Sequence, residues 1–256
     1  MPTLFNPGLV SVTFRQLSVD EIIDTTVAAK LRCIEWGGDI HVPHGDVKTA
    51  QLVHKKTANA GLTVASYGSY YRVGESELAG IAFEDVLASA SNLGAPVIRV
   101  WAGTKASAVT TPEYRDMVEQ DATRIANLAQ KAGIEVAWEY HVNTLTDTLA
   151  STLALLRSID GKIKTFWQPQ TSLSVEENVS SLRTLLPWLR HIHVYHWKNR
   201  GERFPLSEGI AEWAPYLKVL REDGTPRPFL LEFVREDSIE SLIQDAAALN
   251  QWIIEA

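Results

Sequence analysis

Eight times over, the chain places a short run of strand-forming residues ahead of a longer run with helical periodicity, and few folds accommodate that rhythm. The strand-like runs are Leu9–Thr13, Arg32–Trp36, Leu62–Ser66, Val97–Trp101, Ile134–Glu139, Ile163–Trp167, His191–Tyr195 and Phe229–Phe233. Strands that alternate with helices build parallel sheet, because parallel neighbours need a long crossover between them. Such crossovers are right-handed, and eight in series close on themselves and leave no open sheet edge. The spacing therefore predicts one α/β domain over residues 1–256, a (β/α)₈ or TIM barrel, for which 256 residues is an ordinary length. An open doubly wound sheet is the runner-up. No G-x-G-x-x-G follows the first strand and no G-x-x-x-x-G-K-[ST] occurs, so a nucleotide-cradling loop has no support.

The helices carry their own punctuation. Ser18 stands three residues before Glu21, a capping box that opens a helix over Val19–Lys30. Thr111-Pro112 sets an N-cap before a proline at the first helical position, and Val118, Ala122, Ile125 and Ala129 then share one stripe. Near the end, Asp237 precedes Glu240 by three, ahead of an apolar face of Ile239, Leu242, Ala246 and Leu249. Gly61, Gly94 and Gly133 fall between a helix and the next strand, where a left-handed residue ends a helix. Pro187 stops or kinks the Leu-rich run before it.

Charge and composition narrow the function. A net charge of −7 runs against a nucleic-acid partner, since phosphates want a basic face. No run approaches the ~18 apolar residues of a membrane span, so no membrane partner is expected. Met1–Leu9 lacks a basic segment followed by an apolar one, and the single cysteine, Cys33, excludes an internal disulfide; a cytoplasmic location is the expectation. The eight tryptophans and seven tyrosines serve packing first, with Trp101, Trp167 and Tyr70 as candidates for stacking against a ring.

In a barrel of this kind active sites lie at the C-terminal ends of the strands, which turns sequence position into a filter. Four consecutive strands end in polar residues. I-E-V-A-W-E-Y ends in Glu139, T-F-W-Q-P-Q carries Gln168, and F-L-L-E-F sets Glu232 among apolar neighbours. In R-H-I-H-V-Y-H, alternation puts Ile192 and Val194 on one face and His191, His193 and Tyr195 on the other. Burying Glu232 without a partner would cost several kcal/mol, and a divalent cation would relieve both glutamates at once. Glu139, Gln168, His193 and Glu232 offer three oxygens and one nitrogen, a fairly hard set that suits Mn²⁺ best, with Mg²⁺, Co²⁺ or Zn²⁺ as alternatives.

With these residues in view, the chain resembles the xylose-isomerase-like barrel superfamily, which includes sugar isomerases, ketose 3-epimerases, inosose dehydratases and an endonuclease IV branch. The stretch from Glu139 to Thr148 is similar to the turn after strand five of that group, and I-E-W-G-G-D-I-H-V-P, from Ile34 to Pro43, to its strand two. The family site is usually Glu, Asp, His, Glu on strands five to eight. The resemblance gives Glu139 the first place, His193 the third and Glu232 the fourth. Gln168 stands where the Asp would be, and His193 is followed by His196 where His-x-x-Asp is common.

The function so implied is a metal-dependent isomerase or epimerase acting on a small carbohydrate through an enediolate, with Glu139 and Glu232 moving protons on opposite faces. A dehydratase or other lyase acting on a keto-sugar or keto-inositol is the first alternative. A degenerate barrel that only binds a sugar is the second, and DNA repair is disfavoured because A-S-Y-G-S-Y-Y on strand three lacks a histidine. His41, His44, Trp101, His141, His196, Arg200 and Arg203 are the candidate substrate contacts at the mouth, His141 and His196 also being placed to orient ligands. A homo-oligomer is compatible with all of this.

Overall fold

Each expected strand forms, with its ends moved by a few residues. The protein, described here by a computed structural model covering residues 4–199 and 201–255, has barrel strands β1 (Phe5–Val10), β2 (Cys33–Gly37), β3 (Thr63–Arg72), β4 (Val97–Trp101), β5 (Glu135–Glu139), β6 (Lys164–Trp167), β7 (Leu189–Val194) and β8 (Arg227–Leu231). All neighbours pair in parallel, and β1 pairs with both β2 and β8, which closes the barrel. The closure leaves no edge for another chain to extend. The first strand is the largest correction. The run Leu9–Thr13 reads as strand, yet Ser11–Phe14 is a 3₁₀ turn and the strand is Phe5–Val10, upstream of it.

Between the strands lie α1 (Val19–Ala28), α2 (Val47–Asn59), α3 (Phe83–Leu93), α4 (Pro112–Lys131), α5 (Leu149–Ser158), α6 (Val175–Leu185), α7 (Ile210–Asp223) and α8 (Ile239–Glu255). Ser18 accepts from the Glu21 amide and Glu21 answers at Ser18 N–H, the expected box. Thr111 caps α4 through the Tyr114 amide. Asp237 does not cap α8: the Ser238 hydroxyl accepts from the Ser241 amide, and Asp237 pairs instead with Arg203. Helix α6 stops at Leu185, just ahead of Pro187. Among the described residues no helix is long and apolar enough to cross a membrane.

Side-chain alternation sorts the apolar residues into two layers. One extensive core lies between sheet and helices and takes in Trp36, Trp138, Trp167 and Trp213. Two small groups stand apart from it, Val10, Val12, Cys33, Ala65 and Leu230 in one and Val97, Ala137 and Phe166 in the other. They come from positions of opposite parity and fill the barrel interior. Above this apolar filling, towards the C-terminal strand ends, the interior changes to charged and polar side chains.

Candidate metal centre

The polar layer is assembled by strand ends. Glu139 is the last residue of β5, Gln168 follows β6 by one, His193 is the penultimate residue of β7 and Glu232 follows β8 by one. The Glu232 amide still donates to the Val194 carbonyl (3.1 Å), so its side chain keeps the inward phase of the strand. Thr146 donates to the Glu139 carbonyl (2.5 Å) and so folds the turn after β5 back over the strand end. Beyond β6, Tyr195 donates to the Pro169 carbonyl (2.6 Å), which pins the segment carrying Gln168.

These four side chains meet. One donor atom each from Glu139, His193 and Glu232 lies within 4.8 Å of the others, and all three residues are buried. Around His193 Nδ1 stand Gln168 Oε1 at 3.2 Å, Glu232 Oε2 at 3.3 Å and Glu139 Oε1 at 3.8 Å. Two carboxylates, a carboxamide oxygen and an imidazole nitrogen on one centre form a donor set that fits a divalent cation of the harder kind.

Beneath this group lie two charged residues that strand-end reasoning passes over. Arg99, in the middle of V-I-R-V-W on β4, pairs through Nη1 with Glu139 Oε2 and through Nε with Glu35 Oε1 (2.8 Å). Glu35, on β2, also accepts from the Ser66 hydroxyl (2.6 Å). Both are buried to within 1% exposure, so water cannot serve as their partner. A charged residue inside an otherwise apolar strand was the available signal.

The electrostatics follow from this packing. Burial opposes ionisation of Glu35, but the Arg99 guanidinium, His193 and the Ser66 hydroxyl together outweigh it and hold the carboxyl well below the usual range. Glu139 is lowered in the same way, burial being overcome by Arg99 together with His141 and His193. Burial likewise works against a charged His193, yet Glu232 and Glu35 push its pKa up to about 10. Without a cation the ring therefore carries a proton at neutral pH, and a ligated imidazole must give that proton up.

At the rim, Trp101 donates through Nε1 to Glu139 Oε2 and stacks on His141, with ring centroids 4.8 Å apart and planes at 19°. Arg72 lies over its other part, 4.5 Å from the ring centroid. His141 Nδ1 is engaged by the Val142 carbonyl (2.6 Å). Tyr70 takes a left-handed φ of 56°, unusual for an aromatic residue, which sets its hydroxyl on Arg15 Nη2 (2.8 Å) and its ring 5.2 Å from the Arg99 guanidinium.

The other candidates make contacts outside the cluster of four. Both ring nitrogens of His41 are committed to the scaffold, at Ser11 Oγ and the Leu17 carbonyl. His44 bonds the Ser69 carbonyl (2.7 Å). His196 is buried against the Pro205 carbonyl, with Nε2 3.6 Å from Glu212, and takes no part in the cluster. Arg203 pairs with Asp237 and lies against Trp197 and Phe233. Arg200 falls outside the described residues. Trp167, expected at the mouth, is instead on the outer face of β6, bonded to Ser181 and packed on Trp213 and Tyr216.

The xylose isomerase-like TIM barrel family model matches residues 23–255. A 3-dehydroshikimate dehydratase of Bacillus anthracis is 33% identical over a match covering 49% of this chain and 52% of that protein; the chain thus spans about half the length of the curated relative it matches. Among solved structures, a probable 3-DHS dehydratase from Bacillus anthracis superposes with a TM-score of 0.81 at 23% identity, covering 96% of this chain and 98% of that one. A D-allulose 3-epimerase from Methylomonas sp. gives 0.74 at 14% identity, with 98% and 99% covered.

Proposed function

The chain belongs to the xylose isomerase-like TIM barrel family, and on that premise we propose that it is a divalent-metal-dependent lyase. Its reaction is proton abstraction beside the carbonyl of a polyhydroxylated ring, followed by loss of water. The observation that carries this is the convergence of Glu139, His193 and Glu232, with Gln168, on one buried point. These four residues would hold the ion, and Mn²⁺ is the ion their oxygen-rich donor set suits best. When bound, the cation supplies Lewis acidity towards a substrate carbonyl.

The two carboxylates are not equivalent, and the difference favours elimination over epimerisation. Glu139 Oε2 is taken by Arg99 and Trp101, which makes this carboxylate a weak base and a fixed ligand. Among the described residues the Glu232 carboxylate is ion-paired with His193 and carries no brace from Arg99 or Trp101 like that on Glu139, so Glu232, through the oxygen it does not lend to the ion, is the group placed to accept the carbon-bound proton. As that C–H bond breaks, its electron pair forms the carbon–carbon double bond and the neighbouring C–O bond breaks. The departing hydroxyl takes the Nε2 proton of a His141 imidazolium, whose Nδ1–H stays on the Val142 carbonyl, and leaves as water. An epimerase needs a second basic group on the opposite face, and here that group is already braced. The dehydratase relatives support the same outcome, with 3-dehydroshikimate as the first substrate to try.

The second reading is a ketose epimerase using Glu139 and Glu232 in turn, which the likeness to the D-allulose 3-epimerase favours. Incubating Mn²⁺-loaded protein with 3-dehydroshikimate, and separately with a ketohexose in D₂O, distinguishes the two. Loss of one water by mass is the expected result. Deuterium uptake without loss of mass elsewhere would establish the second reading instead. Glu232→Gln should abolish turnover while circular dichroism stays unchanged, and full activity in that variant would overturn the mechanism.

A further inference from the structure

Resting on the metal-centre reading above, we infer that Glu35 is a positioning residue: it fixes the His193 imidazole as the Nε2–H tautomer and so turns the Nδ1 lone pair towards the ion. The two ring nitrogens face opposite surroundings. Nδ1 is ringed by Gln168, Glu232 and Glu139. Nε2 is buried, has no hydrogen-bond partner, and faces Glu35 Oε1 at 3.7 Å. An ionised carboxylate only accepts hydrogen bonds. A lone pair on Nε2 would be repelled by Glu35, whereas a proton there closes the contact after a small tilt of the ring. Which nitrogen binds a metal is set by the bond the other one makes.

The carboxylate is itself held so that it can do this. Arg99 Nε donates to the same Oε1, and the Ser66 hydroxyl donates to Oε2. The backbone at Gly68 makes room for the pair: a Cβ there would stand 2.8 Å from Arg99 Nη2 and 2.9 Å from Glu35 Oε1, closer than real Cβ contacts come. Through Arg99 the same anchor reaches Glu139, whose Oε2 is tied down while Oε1 faces His193. Glu35 thus restrains two ligands from strand β2, on the side of the barrel away from the strands that supply them.

The test has two measurements. Mn²⁺ titration by calorimetry compares the wild type with Glu35→Gln, and a loss of 10–100-fold in affinity is expected for an outer partner of this kind. Nitrogen-15 NMR of the Mg²⁺-loaded wild type then reads the His193 ring directly. A proton on Nε2 and none on Nδ1 is expected, with the Nε2 proton resonance moved downfield by its bond to Glu35; ligation through Nδ1 requires the proton but not that shift, and an unshifted proton would overturn the inference. A wild type that binds no Mn²⁺ would bring down the metal-centre reading and this inference together. A wild type that binds Mn²⁺, with its ring proton on Nδ1 or with Glu35→Gln binding equally well, would overturn the inference alone. If Glu35→Gln fails to fold, the wild-type ring spectrum decides.

Discussion

At the scale of the residue, the centre is defined by groups that cannot be removed singly. Arg99 neutralises Glu35 and Glu139 in a space closed to water. Arg99→Met should therefore destabilise the protein by about 3–5 kcal/mol, because two carboxylates lose their counter-charge; urea unfolding measures this, and a change below about 1 kcal/mol would contradict the burial argument. His193 gives a pH test whose sign is fixed. Its pKa rises on folding to about 10. The stability it contributes to metal-free protein is complete below its ordinary value of about 6.5 and is lost as pH climbs through about 10. The melting temperature of chelator-treated protein should fall across that window, and a flat profile would show that the ring is neutral throughout. Not all of this was legible in the sequence. Glu139, Gln168, His193 and Glu232 stand at strand ends, where fold geometry makes polar residues conspicuous. Glu35 and Arg99 stand mid-strand, and their inward phase shows only once the barrel supplies a partner for each.

At the scale of the element, the strands place ligands and the loops hold them there. The segment after β6 is bracketed by Asn178 of α6, whose Oδ1 accepts from the Gln170 amide (2.9 Å) and whose Nδ2 donates to the Gln170 carbonyl (3.1 Å). Asn178→Ala leaves the buried Gln170 amide unpaired, while the Gln170 carbonyl keeps the Leu173 N–H, and should cost about 1–3 kcal/mol. Because the segment includes Gln168, Mn²⁺ affinity should weaken as well; calorimetry showing unchanged affinity would mean that Gln168 is held by other contacts. Ser174→Ala removes the capping box of α6 and should cost about 1 kcal/mol, read from urea unfolding, with no effect on the ion. Caps such as Ser18 and Thr111 were legible because a hydroxyl three residues from an amide is a local feature. The first strand was not. Its Leu9–Thr13 run is rich in strand-forming residues, but the pairing of Phe5 to Leu9 with Arg227 to Leu231 decides where the strand lies, and that partner is more than 200 residues away. Asp237 was misread for a similar reason: Arg203, distant in sequence, claims its carboxylate and leaves Ser238 to cap α8.

At the scale of the whole molecule, the proposed ion and the barrel would support each other. Four strands supply the donors, so whatever binds them binds only the closed form. At an ion concentration of about 100 times the dissociation constant the gain is about 2.7 kcal/mol, or roughly 5–11 °C in melting temperature for a chain of this size. Differential scanning calorimetry with Mn²⁺ and with chelator checks it, and identical melting points would remove the ion from the account. The barrel also imposes a sequence of events. Its seam is the contact of β1 with β8, where Leu9 meets Leu231 and the Phe233 amide donates to Thr13. Glu232 lies directly at that seam, so the last of the clustered acids arrives only when the ring of strands shuts. A polypeptide emerging from the ribosome with its N-terminus first has released seven strands before it can assemble a complete chelate. An ion met earlier in synthesis would find only part of the proposed donor set, because the strand that carries Glu232 is the last to join.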